Sequence, residues 1–387
     1  MRTRRLIAVA VGVAAAAAVT ACSSSPPPHS SSSIVISFND ASCGTAWHLA
    51  SPGWHTFEIR NRAENGAEVD LTNPANGAVY DELDNIGPGT TAPMALDVGS
   101  GKYAFLCQVE DFDAVTGPTV TVSGHAAGTP AILPVTYNDL YPLVKDYAKY
   151  TEAGLRVLAK QTTTLAAAVR AGNLTAAKRD WLTAHLQYET LGAAYDAFGD
   201  FDDEIDGRAD ALGVNNPKWT GFYRLEYGLW HGQPARELSS VADTLNADVH
   251  KLLASWPSQQ IPLVDVGLRT HEVLENALEY QLTGHDDYGS GTTLATTLAN
   301  IKGTRYLLSL LHPLLASRYP QLPEVYTGLS HLQSLVEKAH LRNGSWVPVS
   351  ALPAATRADI DAACGQVLQE LAPIASIADP RNTAHEF

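Results

Sequence analysis

The sequence predicts a chain of two textures, a small β-sandwich followed by an all-α domain, and three observations carry that reading. At 387 residues the chain is too long for one compact core. Residues 34–124 run in short alternating stretches broken by turn residues, the two-residue period of strands. From residue 135 onward, apolar residues recur at spacings of three and four, the period of helices that bury one face.

Ahead of both domains, residues 1–5 are short and basic, and residues 6–19 form an apolar run. That pattern is an export leader, too short to span a bilayer comfortably. The run closes on Val19-Thr20-Ala21-Cys22, which resembles a bacterial lipoprotein signal. Residues 1–21 are then removed and Cys22 carries lipid. Residues 22–33, rich in Ser and Pro, read as an extended tether. The mature protein is expected outside the cytoplasm, at the cell surface or in the periplasm, anchored to the cell membrane by lipid.

The chain carries 26 basic and 41 acidic residues, a formal charge of −15. Losing Arg2, Arg4 and Arg5 with the leader leaves 23 basic residues against 41 acidic and a charge of −18. Such an excess speaks against binding a phosphate backbone, which needs clustered Lys and Arg, and against docking on anionic lipid. Its sign leaves a cation as the partner it would attract.

In the β domain the strands are expected at residues 34–38, 54–59, 103–106 and 119–122, with Pro52-Gly53, Asn65-Gly66, residues 87–89 and 99–101 as turns. Residues 125–134 read as a linker. Residues 135–387 should hold roughly eight helices, with stripes at 174–198, 222–230, 242–256, 264–282, 294–315, 319–340 and 360–374 after a first one through Leu140 and Leu155. Eight helices fit one elongated bundle or two four-helix bundles. Beyond Cys22, three cysteines remain, and an oxidising compartment makes a disulfide the default for Cys43 and Cys107. Cys364 lies in a helical stripe and reads as a small buried hydrophobe.

The residues that could carry chemistry are helical carboxylates and histidines. His185–Glu189 and His271–Glu275 share one spacing, which puts each pair on one helix face where both groups can converge on a cation. The plain alternative is a pair of helix-surface interactions. Around His271 the order His-Glu-x-x-Glu places Glu275 where a zinc-peptidase helix needs its second histidine. Residues 200–210 hold six acids in eleven residues, without the closing Glu of a calcium loop, and read as a solvated acidic loop that draws cations towards a nearby site. No histidine follows Cys107 closely, so a blue-copper centre is not supported. Cys43, Glu68 and Cys107 could form another metal site; the residues alone favour the disulfide.

Trp219-Thr-Gly-Phe-Tyr-Arg-Leu-Glu-Tyr-Gly-Leu-Trp230 resembles the Gly-Phe-His-x-x-Glu segment of the imelysin-like (peptidase M75) family. His185–Glu189, the acidic segment 202–210 and residues 270–276 look like its companion motifs. A cupredoxin-like domain ahead of such a helical domain is the layout of EfeO-type iron-uptake lipoproteins. The resemblance implies a double four-helix bundle with a His-x-x-Glu metal site near the junction. It also implies work beside an iron permease and a haem peroxidase in an EfeUOB-type system. Glu226 carries over onto the motif; the imidazole does not, since Tyr223 stands in its place. Either the site is retuned to a harder metal, which a phenolate suits, or it is lost. In the β domain Cys43, Glu68 and Cys107 look like the family's cupredoxin metal positions, with Glu82 in a matching acidic stretch, so that a second metal, copper or iron, is the alternative to the disulfide.

The expected function is capture of Fe2+ or Fe3+ outside the membrane and delivery to a permease. Glu189, Glu226 and Tyr223 lead the expected ligands, followed by His185, His271 and Glu275. The alternatives are a zinc-dependent M75-type metallopeptidase and a structural adaptor whose metal sites have decayed.

Overall fold

The computed structural model describes residues 33–209, 213–339 and 345–380. The leader, Cys22, the tether up to residue 32 and Asp210 lie outside the described residues.

Nine strands build the first domain: β1 (Ile34–Asn39), β2 (Ser42–Cys43), β3 (Gly53–Asn61), β4 (Ala67–Thr72), β5 (Val79–Ile86), β6 (Thr91–Val98), β7 (Gly101–Val109), β8 (Val115–Thr116) and β9 (Val120–Val122). One sheet runs β2-β1-β3-β6 and the other β5-β4-β7-β8, with β9 pairing the start of β7. β1 and β3 are parallel and the remaining pairs antiparallel. The alternation read from the sequence puts Ile36, Phe38, Phe57 and Ile59 into the core between the sheets. There Trp47, Phe57 and Phe105 meet edge to face, with centroids 5.0–5.9 Å apart.

The structure adds strands beyond the four expected from the sequence. β5 reads Val-Tyr-Asp-Glu-Leu-Asp-Asn-Ile and is only half covered over most of its length, so no apolar face repeats along it. β6 contains Pro93, which normally argues against a strand; here it lies on an edge strand, where a missing ladder donor is tolerated.

Cys43 and Cys107 form a disulfide, with Cα atoms 5.7 Å apart, that ties β2 in one sheet to β7 in the other. This corrects the alternative of a second metal at Cys43, Glu68, Cys107 and Glu82: both sulfurs are bonded to each other, so neither is a thiolate ligand. Residues 125–134, read as a linker, lie along the sheets. Thr129 N–H donates to Asp97 O, and Ile132 exchanges backbone hydrogen bonds with Val79 on β5.

The second domain begins at Thr136, whose side chain and Asp139 cap α1 (Tyr137–Arg170) reciprocally. Then follow α2 (Leu174–Glu189), the short α3 (Tyr195–Phe198) and α4 (Asp200–Asp206), α5 (Gly221–Trp230), α6 (Ala235–Ser255), α7 (Asp265–Asn276), α8 (Thr293–Leu315), α9 (Leu322–Lys338) and α10 (Ala354–Ile377). α1, α2, α5 and α6 pack as one four-helix bundle and α7, α8, α9 and α10 as a second, joined where α8 lies against α1 and α2. One apolar core runs through both. The expected double bundle is what the chain forms. No helix among the described residues is long and apolar enough to cross a membrane.

Two expectations are corrected. The stripe over 174–198 is not one helix: α2 stops at Glu189, and a short 3-10 turn (Gly192–Ala194) leads into α3. A Cβ on Gly192 would stand only 3.2 Å from a methyl of Val273, so this turn packs close against α7. The acidic segment is not a solvated loop either. It folds as α4, with three acids in its first turn, where the helix dipole favours them, and Ile205 buried in the core.

The disulfide closes a long loop, and its removal should act on the β domain alone. Cys43→Ser/Cys107→Ser is expected to cost about 2–4 kcal/mol in denaturant unfolding of the β domain, leaving the helical transition in place by far-ultraviolet circular dichroism.

Candidate metal centre

α2 carries His185 and Glu189 one turn apart, and the end of α4 brings Asp206 up to them. His185 Nε2 lies 3.0 Å from Glu189 Oε1 and 3.2 Å from Asp206 Oδ1. One donor atom from each of the three falls within 4.8 Å of the others. His185 and Glu189 are almost wholly buried, and Asp206 is mostly covered. Neither imidazole nitrogen is in a directed hydrogen bond, nor is Asp206 Oδ1. His185 Nε2 is within ion-pair distance of both carboxylates, so the three groups face one another across a point where a cation could replace the proton.

Close approach of backbones makes this convergence attainable. Gly221 opens α5 at φ +86°, and a Cβ there would lie 2.3 Å from Ile205 O, so α5 rests directly on α4. A Cβ on Gly303 would come within 2.6 Å of Thr190 O, so α8 touches the end of α2. That contact delivers Asn300. With its amide nitrogen turned towards the carboxylate, Asn300 donates to Glu189 Oε2 at 2.9 Å and to Glu189 O at 3.0 Å.

A cavity of about 170 Å³ opens beside these groups, lined by Glu189, Asp202, Asp206, Arg208, Tyr223 and Arg269 among others. Tyr188 donates to Asp202 Oδ1 at 2.5 Å. Tyr223, edge-on to the His185 ring at 5.3 Å, donates to Asp286 Oδ2 at 3.1 Å. Beyond α7 the helix widens into a π turn (Ala277–Gln281), and Gln281 also donates to Asp286 Oδ2, at 2.9 Å. Glu226, 1 % exposed, accepts from Ser290 N–H through Oε1, and its Oε2 has no hydrogen-bond partner.

Burying so many carboxylates moves their titration. Desolvation pushes Asp202 and Asp286 up to about 6 and Glu226 up to about 7. Asp206 is also raised, because burial together with Glu189 and Asp202 outweighs the pull of His185. For His185, burial works downward, but Asp206 and Glu189 more than offset it and hold the imidazole well above its ordinary value. Burial, followed by Asp206 and Asp286, keeps the Tyr223 phenol well above 10.

The expected residues divide. His185 and Glu189 stand at the centre, Tyr223 lines the cavity, and Glu226 is buried one turn further along α5. His271 and Glu275 are not brought in. α7 turns Arg269, Val273 and Asn276 to the cavity, while His271 and Glu275 form a pair 3.6 Å apart, with side chains 22 % and 57 % exposed. Asp206 was missed as an individual ligand, and Asn300, Gln281 and Asp286 entirely. Asp206 did leave a signal, since Asp202 and Asp206 share the i, i+4 spacing of His185 and Glu189.

One imidazole and two carboxylates at this spacing suit a hard or borderline cation, held after the donors lose their protons. The fold around them, a double bundle of long helices behind a β-sandwich, defines the class. Residues 143–373 match the family model of imelysin (peptidase M75), more than half of the chain, and the chain belongs to that family. It is similar to the iron uptake system component EfeO of Yersinia pestis, 26% identical over 318 residues that cover 80% of this chain and 82% of the relative. The proteins of the same name from Yersinia pseudotuberculosis (26% over 314 residues) and Escherichia coli O157:H7 (25% over 316 residues) cover the same shares.

In the metal-free protein the raised carboxyls oppose folding once the unfolded chain ionises. The unfolded groups lose protons near 4, while Asp202, Asp286 and Glu226 keep theirs to about 6, 6 and 7. Stability from these groups therefore falls as pH rises between those values, by about 1.4 kcal/mol for each unit of displacement. His185, raised, loses its contribution in the same direction as pH climbs through its folded value. The melting temperature without metal should be higher at pH 5 than at pH 7.5, and Glu226→Gln should flatten the difference.

Proposed function

We propose that the protein is an iron-binding component of an iron-uptake system, exported and held at the membrane by lipid on Cys22. It takes up Fe2+ or Fe3+ at His185, Glu189 and Asp206 and passes it to a membrane permease, beside a haem peroxidase of the same system. The observation that carries this reading is the buried meeting of one imidazole and two carboxylates within 4.8 Å beside a cavity. The relatives bear the name of iron-uptake components, which supplies the cargo. Two oxygen donors to one nitrogen favour iron on ligand hardness over copper(I), which prefers sulfur.

On this reading Asp202, Glu226 and Asp286 form the acidic surroundings that draw the cation inward. Asn300 orients Glu189. Tyr223 in place of the family's imidazole leaves His185 as the nitrogen donor, and its hydroxyl orients Asp286.

Calorimetric titration of the chain from Ser23 with iron tests the reading. Wild type should bind in the helical domain, and Glu189→Ala or Asp206→Ala should abolish that binding; unchanged affinity in both would place the site elsewhere. Asn300→Leu, which strips an outer partner from Glu189, should weaken binding by about 10–100-fold. Tyr223→Phe should keep the stoichiometry. A visible ferric–phenolate band that disappears in this variant would instead make the phenol a ligand. Because raised carboxyls must shed protons to bind, uptake should release protons to the buffer and weaken as pH falls from 7 to 5.

A further inference from the structure

We infer that Trp181 and Trp230 form an electron relay from the buried cation site to the surface, supplying the second electron when a hydroperoxide oxidises ferrous iron held there. The inference rests on the iron reading above. Trp181 lies one turn before His185 on α2, 1 % exposed, and its ring stacks on the imidazole with centroids 4.9 Å apart and planes at 28°. Its indole N–H donates to Phe222 O at 2.9 Å, which fixes the ring. On its far side stands Trp230, the last residue of α5, at 5.3 Å. Trp230 is only half-buried, with the Lys178 ammonium 4.9 Å from its ring centroid. Two ring contacts thus connect a buried ligand with solvent.

The other two rings at His185 differ from Trp181. Phe222, at 5.2 Å, does not oxidise readily. Tyr223 loses an electron only together with its proton, which Asp286 is placed to accept, so Tyr223→Phe is loaded alongside the tryptophan variants and should leave the Trp230 adduct unchanged. An indole loses an electron alone and keeps its N–H bonded.

The step balances as follows. Hydrogen peroxide takes one electron from Fe2+ and one from the tryptophan pair, with two protons. The O–O bond breaks, and two waters, Fe3+ and a tryptophan cation radical result. The radical settles on Trp230, where solvent-borne reductants or oxygen reach it. Without the second electron, the same bond breaks to hydroxide and a hydroxyl radical beside His185.

The test loads wild type, Trp230→Phe and Trp181→Phe with Fe2+ under anaerobic conditions, measures bound iron, and adds hydrogen peroxide. Wild type should give a tryptophan radical by freeze-quench paramagnetic resonance, oxygen added at Trp230 by peptide mass spectrometry, and little trapped hydroxyl radical. Trp230→Phe, a conservative change at the half-buried edge of the core, should bind the same iron, lose the Trp230 adduct and release trappable hydroxyl radical. Trp181→Phe should keep Trp230 unoxidised. Equal hydroxyl yields in iron-loaded wild type and Trp230→Phe, or Trp230 oxidised equally without iron, would overturn the relay and leave the iron reading standing. Absence of bound iron in wild type would overturn both.

Discussion

The helical domain is organised around one costly requirement, the holding of several carboxylates out of water with a single imidazole among them. An ion removed from water loses several kcal/mol of solvation, and one histidine cannot repay that for Glu189, Asp206 and their neighbours. The deficit is met in part by the Arg208 guanidinium beside Asp286, by the upward shift that lets Glu226 keep its proton to about 7, and by single donors placed with care: Tyr188 to Asp202, Tyr223 and Gln281 to Asp286, Ser290 N–H to Glu226 and Asn300 to Glu189. A cation between His185, Glu189 and Asp206 would offset the same excess of negative charge. Stability and binding are thus two readings of one electrostatic balance.

Helix packing supplies the precision. α2 ends at Glu189, and the glycine contacts at Gly221 and Gly303 let α5 and α8 close on α4 and α2 at backbone distance. Arg269 of α7 ties the second bundle to Asp196 on α3 by an ion pair and pairs with Glu272 on its own helix. The centre therefore draws on α2 and α5 of the first bundle, α7 and α8 of the second and the short α4, and its geometry depends on how the bundles meet.

The helices were legible in the sequence because their apolar period is long and regular. The centre was legible only in part. His185–Glu189 and His271–Glu275 share one spacing, which reports a common face but not whether that face points inward. What separates them is the company they keep. His185 sits among Trp181, Ala184 and Tyr188, all buried, whereas His271 adjoins Glu272 and Glu275 on a partly exposed face. Asp206 was hidden by its own neighbours: among so many acids, only tertiary packing tells Asp206 from the exposed Asp203 and Glu204. In the β domain, β5 escaped notice because a half-covered acidic strand lacks the usual alternation, whereas β6 does alternate, burying Met94, Leu96 and Val98, and was masked by Pro93 within it.

The state of the cysteines bears on which metals the described chain could retain. Cys43 and Cys107 are spent on each other, and Cys364 is buried with its sulfur facing Leu274 O and its thiol pushed up to about 12. No described residue therefore offers a thiolate at neutral pH. Copper(I), which nitrogen and oxygen donors hold poorly, finds no thiolate among the described residues to capture it. Nor does the folded interior present a thiolate that could reduce a ferric ion in transit. Selectivity against copper(I) comes in this way from thiolates withheld.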